Sequence, residues 1–225
     1  DKEQKKWFGK NKRYKSCTVD EAKKLLDKIK KNNLPTPSTK QLLTTDLENI
    51  NNELIINYIN NNSVIDKRAG SCKSINSNDV LIEEVFKPLN EKIKFHLNKL
   101  FHETAFDNYF LDLREGWYQG GSDPQIIQPH KHTDSVFSAV YYPLSTDGQI
   151  RFQNPAHYLN NILNYEHIKI ANEYISDFYV EHVRTNDLII FKSSLYHWAI
   201  PSKNLRYSIA YNTKVKKYDN SMQGN

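Results

Sequence analysis

After about residue 105 the chain breaks into short segments rich in aromatic and β-branched residues, and this texture constrains the fold more than any other feature. Tyr109–Tyr118, Gln125–His130, Phe137–Tyr142, Gln149–Phe152, Asp187–Phe191 and Arg206–Asn212 each have the length of a strand. Turn-forming runs separate them: Gly120-Gly121-Ser122-Asp123-Pro124, Ser145-Thr146-Asp147-Gly148 and Pro201-Ser202-Lys203-Asn204. Many short strands at such spacing predict a sandwich, jelly roll or barrel. The first hundred residues have a different period. Thr18 to Glu21 forms a capping box ahead of Ala22, Leu25, Leu26 and Ile29, which predicts a helix over roughly 19–31. A second box, Thr45 to Glu48, predicts a helix with Leu47, Ile50, Leu54 and Tyr58 inward. Leu81, Val85, Leu89, Ile93, Leu97 and Phe101 recur every four residues, a long helix that Pro88 should kink or break. Residues 63–78 read as loop, and Asn160–Tyr174 as a short helix within an insertion.

The expected organisation is therefore α+β with a mainly β core. A basic flexible arm spans 1–15, a helical support region 16–104 and a β core 105–225, all in one structural domain. With 225 residues and 12% aromatics the chain can bury a real core and is not disordered. It has no apolar run long enough to span a bilayer, and the charged residues 1–15 lead one to expect no secretory leader. Its two cysteines, Cys17 and Cys72, cannot staple a secreted scaffold, so a reducing cytoplasm is the expected location.

Eight histidines are present. Five have no partner at a telling offset. In His130-Lys131-His132-Thr133-Asp134, by contrast, positions 130, 132 and 134 would share one face if the segment were extended. Ionisable side chains crowded on one face are costly without a cation to satisfy them. His197, in the turn after Asp187–Phe191, is the candidate distal ligand. His132, Asp134 and His197 then make a two-histidine, one-carboxylate facial triad, which leaves positions on Fe(II) for a co-substrate and dioxygen. Nine residues on, Arg206 and Ser208 share a strand face. A guanidinium fork and a hydroxyl can grip the far carboxylate of a dicarboxylate chelated to iron.

With these residues in hand, the chain resembles the iron(II)/2-oxoglutarate-dependent oxygenases, most closely a branch common in bacteria and phages. The resemblance covers roughly 105–213. It rests on Trp117, Gln128-Pro129-His130-Lys131-His132, Ser138-Ala139-Val140-Tyr141-Tyr142, Gly148 to Pro155, Asp187 to Phe191, His197 and Arg206 to Asn212. It implies a distorted double-stranded β-helix, cupin-like, buttressed by N-terminal helices. It also implies Fe(II), 2-oxoglutarate and dioxygen, with ascorbate as accessory reductant, in a hydroxylase that releases succinate and CO2. That branch usually carries His-x-His where the wider superfamily carries His-x-Asp, and this sequence overlaps both. Two triads are therefore open: His132, Asp134, His197, or His130, His132, His197. Charge balance on Fe(II) favours the first, with His130 then facing substrate.

Arg206 and Ser208 would hold 2-oxoglutarate. Tyr141 or Tyr142 would assist, but only one of the two can face inward. Trp117, Trp198 and Asn212 are further pocket candidates. Specificity would lie in Ser63–Asn78 and Ala156–Glu181. Residues 1–15 carry seven basic against two acidic side chains, which equals the whole net charge of +5. Residues 105–213 hold 8 basic and 11 acidic residues, hence −3. A nucleic acid threading the site is not expected, and a small-molecule or peptidyl, amino-acid-like substrate is. A cupin-like metal enzyme that does not use 2-oxoglutarate and a non-catalytic viral β-sandwich are the alternatives.

Overall fold

The computed structural model describes residues 42–66, 71–102, 108–121, 127–155, 177–200 and 202–218. The predicted arm 1–15, the helix over 19–31 and the helix over 160–174 lie outside them. Ten strands and three α-helices are described. In chain order they are β1 (Leu42–Asp46), α1 (Asn52–Asn62), β2 (Val64–Asp66), β3 (Ser71–Lys73), α2 (Asp79–Ile82) and α3 (Lys87–His102). Then come β4 (Tyr109–Gly121), β5 (Phe137–Leu144), β6 (Gly148–Gln153), β7 (Phe178–Val183), β8 (Asp187–Lys192), β9 (His197–Ile200) and β10 (Arg206–Lys217).

The strands form two antiparallel sheets. The larger has the order β1-β8-β5-β10-β4-β3-β2 and the smaller β7-β6-β9. Alternation along the strands sorts the side chains into two cores. One face of the large sheet turns Tyr118, Ala139, Tyr141, Leu188, Ile190, Tyr207, Ile209 and Tyr211 toward Ile55, Ile59, Phe86, Leu89, Ile93 and Leu97 of the helical layer. The other turns Tyr142, Ile189 and Phe191 toward Ile150, Phe152 and Val183 of the small sheet. This is the double-stranded β-helix the sequence leads one to expect, with helices backing the major sheet.

Two local expectations need correction, and a third holds. The segment around Thr45 is strand β1, whose β-branched Thr44 and Thr45 pair with Ile189 and Leu188. The helix starts later, where the Asn51 side chain accepts from the Leu54 amide, and this rotates Ile55 and Ile59 inward and leaves Leu54 exposed. Part of the predicted 63–78 loop is β2 and β3, which extend the major sheet beside β4. The long periodic helix is broken, as Pro88 suggests: α2 ends at Ile82 with Glu83 as its C-cap, a single 3₁₀ turn follows, and Pro88 sits in the first turn of α3, where its missing N–H costs nothing.

A bulge in β4 has a consequence for the site. Asn212 of β10 pairs with Glu115 and Thr213 with Leu113, so Arg114 is the extra residue. Leu111 and Leu113 face the helices before the bulge, and Gly116, Tyr118 and Gly120 after it. Glu115 and Trp117 therefore change sides and join the inner face.

Candidate metal and co-substrate site

The inner face of the major sheet presents its side chains in rows across β4, β10 and β5. Glu115, Asn212 and Ser138 stand opposite one another in one row, and Trp117, Ala210 and Val140 in the next. Ser208 follows on β10 opposite Gln119, and Arg206 opposite Gly121. A cavity of about 130 Å³ opens over these rows, lined by Trp117, Val140, Tyr142, Phe191, Arg206 and Ser208 among others. The three histidines stand at the same cavity.

His130 and His197 exchange both backbone hydrogen bonds, at 3.0 and 2.9 Å, in an isolated antiparallel bridge. This pairing puts their rings on one side, 4.3 Å apart between centroids. His132 is fixed separately: its backbone N–H donates to the Ser193 carbonyl at 2.9 Å. Its ring lies 5.1 and 5.2 Å from those of His130 and His197. One potential donor atom from each of the three lies within 4.8 Å of the others.

Asp134 does not join them. One extended run over 130–134 would bring it there, but the chain bends at Thr133 and Asp134, and only His130 is paired. The Asp134 side chain is 74% exposed and lies 3.7 Å from the Arg114 guanidinium, which also donates to its backbone carbonyl.

The remaining candidates separate by face. Tyr142 points into the cavity, whereas Tyr141 points into the helical layer, where its hydroxyl donates to Asn52 Oδ1 at 2.8 Å. Tyr141 is therefore no pocket residue. Burial raises the Tyr142 phenol well above its ordinary range, against the pull of Arg206, so it stays a neutral hydroxyl. Arg206 is half-buried and donates to the Ile200 carbonyl at 2.7 Å, which aims the guanidinium along the cavity. Trp117 lines the cavity, whereas Trp198 packs on Phe178 on the far side of the small sheet. Asn212 is buried beneath His132, not on the cavity wall.

His132 and His197 are held neutral, as metal donors must be. Burial lowers His197 to about 3, opposed in part by its hydrogen bond to the Leu195 carbonyl and reinforced by the neighbouring histidines. Burial likewise lowers His132, with His130 adding to the effect and Glu115 opposing it. Nδ1 of His130 and of His197 meets a backbone carbonyl, of Gln128 at 2.8 Å and of Leu195 at 2.9 Å. Each Nδ1 must therefore carry the proton, which leaves Nε2 as a bare lone pair. This donor chemistry fits a ferrous ion.

Residues 115–212 match the family described as Putative 2OG-Fe(II) oxygenase. This stretch, somewhat less than half of the chain, is similar to the 2OG-Fe(II) oxygenases. Fe(II) and 2-oxoglutarate are the pair that names that family. The oxygenase fold is shared with SnoN, a non-heme alpha ketoglutarate dependent epimerase from nogalamycin biosynthesis (12% identity, 81% of this chain and 82% of that one, TM-score 0.57). It is shared with a prolyl-4-hydroxylase from Pseudomonas putida (14%, 79% and 94%, TM-score 0.51). HygX from Streptomyces hygroscopicus, with nickel, 2-oxoglutarate and hygromycin B bound, is a third (14%, 76% and 82%, TM-score 0.52). At these identities the likeness carries the fold and not the substrate. The match spans 57% of the length of a 2OG-Fe(II) oxygenase family oxidoreductase from Burkholderia pseudomallei. No curated protein matches the chain. Among the described residues, no helix is long and apolar enough to cross a membrane.

The depressed His197 ring predicts a pH dependence of stability. The unfolded chain takes up a proton on this histidine below about 6.5, whereas the folded chain does so only near 3. Its contribution is thus complete above pH 6.5 and is lost as pH falls toward 3. Urea unfolding of chelator-treated protein between pH 4 and 7.5 should show stability rising with pH, with a shallower slope in His197→Leu. An unchanged slope in that variant would remove His197 as the cause.

Sequence reasoning missed Glu115, Ser138 and Ser193. Glu115 was hidden by the bulge, which no residue type announces, although its position opposite Asn212 follows once the register is known.

Proposed function

We propose that this protein is an Fe(II)- and 2-oxoglutarate-dependent dioxygenase that hydroxylates a small-molecule or peptidyl substrate. The observation that carries the reading is the opening of one cavity onto both a three-histidine cluster and an Arg–Ser pair. His130, His132 and His197 are the metal ligands. Arg206 and Ser208 hold the C5 carboxylate of 2-oxoglutarate, and Tyr142 closes over it. Bound iron with 2-oxoglutarate and dioxygen supplies oxidation of a C–H bond, with release of succinate and CO2.

The chain's own part is orientation and dryness. The Phe191 ring lies 4.6 Å from His197, with Phe152 behind it, and keeps water off the buried side of the donors. Substrate approaches past His130, Trp117 and Gln119 at the partly exposed rim. A polyanion is disfavoured by the −3 balance of residues 105–213.

Purified protein given Fe(II), 2-oxoglutarate, ascorbate and air should form succinate even without its substrate, in slow uncoupled turnover. Succinate no faster than in an iron-free control would sink the proposal. A panel of amino acids, proline-containing peptides and amino sugars, read as stimulation of succinate release, should then narrow the substrate.

A further inference from the structure

The three-histidine reading leaves one question of chemistry. His130 and His197 each have a backbone carbonyl at Nδ1, but His132 does not. Its Nδ1 lies 3.2 Å from Asn212 Nδ2, and the same amide nitrogen donates to Glu115 Oε1 at 2.7 Å. The other end of the amide is fixed: Asn212 Oδ1 accepts from Ser138 Oγ at 2.7 Å, and Ser138 Oγ meets Ser193 Oγ at 2.8 Å. Ser138, Ser193 and Asn212 are all buried. Ser193 is also the residue whose carbonyl holds the His132 backbone. Ring and backbone of His132 are thus tied into one network that ends at a carboxylate.

We infer that Glu115, tethered by the buried amide of Asn212, is the carboxylate partner of His132 and accepts a hydrogen bond from its Nδ1–H when Nε2 is given to a metal. This rests on the three-histidine reading. A cation at Nε2 requires the imidazole proton on Nδ1, and that N–H needs an acceptor. The Asn212 nitrogen cannot accept. The Glu115 side chain is 27% exposed, and its Oε1 also lies 3.7 Å from the Arg114 guanidinium. It can keep Asn212 on one oxygen and bring the other to Nδ1. A carboxylate behind a ligating imidazole raises its basicity and fixes its tautomer. Glu115 would also supply, one residue removed, the negative charge that Asp134 would have brought to the iron. Both residues act through His132 and are positioning residues.

Ni(II) affinity of the whole protein, measured by calorimetry, tests this without turnover. Glu115→Gln should weaken binding about tenfold, and Asn212→Ala by roughly 10–100-fold, the range for partners behind metal ligands. The reciprocal swap Glu115→Gln with Asn212→Asp keeps one carboxylate and one amide and sets the carboxylate directly at His132. It should restore affinity to the wild-type level or above, which a purely structural role would not do. Co(II) absorption should follow the same order. If wild type binds Ni(II) and His132→Ala does not, but Glu115→Gln binds as wild type, the inference is overturned and the ligand set stands. A swap no better than Asn212→Ala overturns it as well. If wild type binds no Ni(II), the ligand set itself fails and the inference with it.

Discussion

Replacing His130 with Ala should abolish binding of Ni(II) or Fe(II), whereas replacing Asp134 with Ala should leave it within about twofold of wild type. The expectation follows from backbone geometry before any side-chain chemistry. His130 and His197 are locked together by two hydrogen bonds, so the ring of one is placed wherever the ring of the other is. His132 completes the group through the Ser193 carbonyl. Removing any one of the three leaves two donors, and the loss should exceed the roughly 10–100-fold assigned to residues that only support a ligand. Asp134 is on the wrong side of a bend. To reach the cluster it would have to leave Arg114, turn the backbone at Thr133 and give up an exposed position for a desolvated one. Its ion pair with Arg114 is largely exposed, so its loss should cost at most about 1 kcal/mol of stability. Calorimetric titration of the two variants decides the matter. Metal retained by His130→Ala and lost by Asp134→Ala would restore the two-histidine, one-carboxylate site and require the 130–134 segment to rearrange on binding.

The grouping of Asp134 with His130 and His132 on one strand face shows where such reading stops. His-x-His-x-Asp fits one strand face only if five residues are extended, and here only the first is paired. Extension is set by a partner, and the partner of His130 is 67 residues away. Where turns are marked by Gly, Pro, Asp and Ser, the strands were legible: β4, β5, β6, β8 and β10 lie where alternation and turn residues put them. β7 and β9 were not foreseen, because Phe178–Val183 has only one buried side chain and His197–Ile200 is four residues long. Parity along β10 was enough to put Arg206, Ser208 and Asn212 on one face. Parity along β5 could not choose between Tyr141 and Tyr142, since both are buried and the difference lies in which layer buries them. The bulge at Arg114 has no signature at all, yet it is what turns Glu115 toward Asn212.

Arg206→Ala should lower the affinity of the metal-loaded protein for 2-oxoglutarate by about two orders of magnitude while leaving metal affinity unchanged. A carboxylate gripped by a guanidinium gains two charge-assisted hydrogen bonds, each of roughly 1.5–3 kcal/mol. Water would enter the truncated site and recover part of that, so about 3 kcal/mol, or on the order of 100-fold, is the expected loss. Arg206→Lys should recover some of it, since a point charge remains but the fork does not. Ser208→Ala, which removes one neutral donor, should cost about 1 kcal/mol, several-fold in affinity. The order Ala, then Lys, then the serine variant is the signature of a clamp. A structural arginine would give a different order, because its bond to the Ile200 carbonyl is one a lysine could also reach. Titration of 2-oxoglutarate into Ni(II)-loaded variants reads all three. Unchanged 2-oxoglutarate binding in Arg206→Ala would leave the arginine as an anchor between β10 and the end of β9, and the far carboxylate would have to be held by another group on the cavity wall.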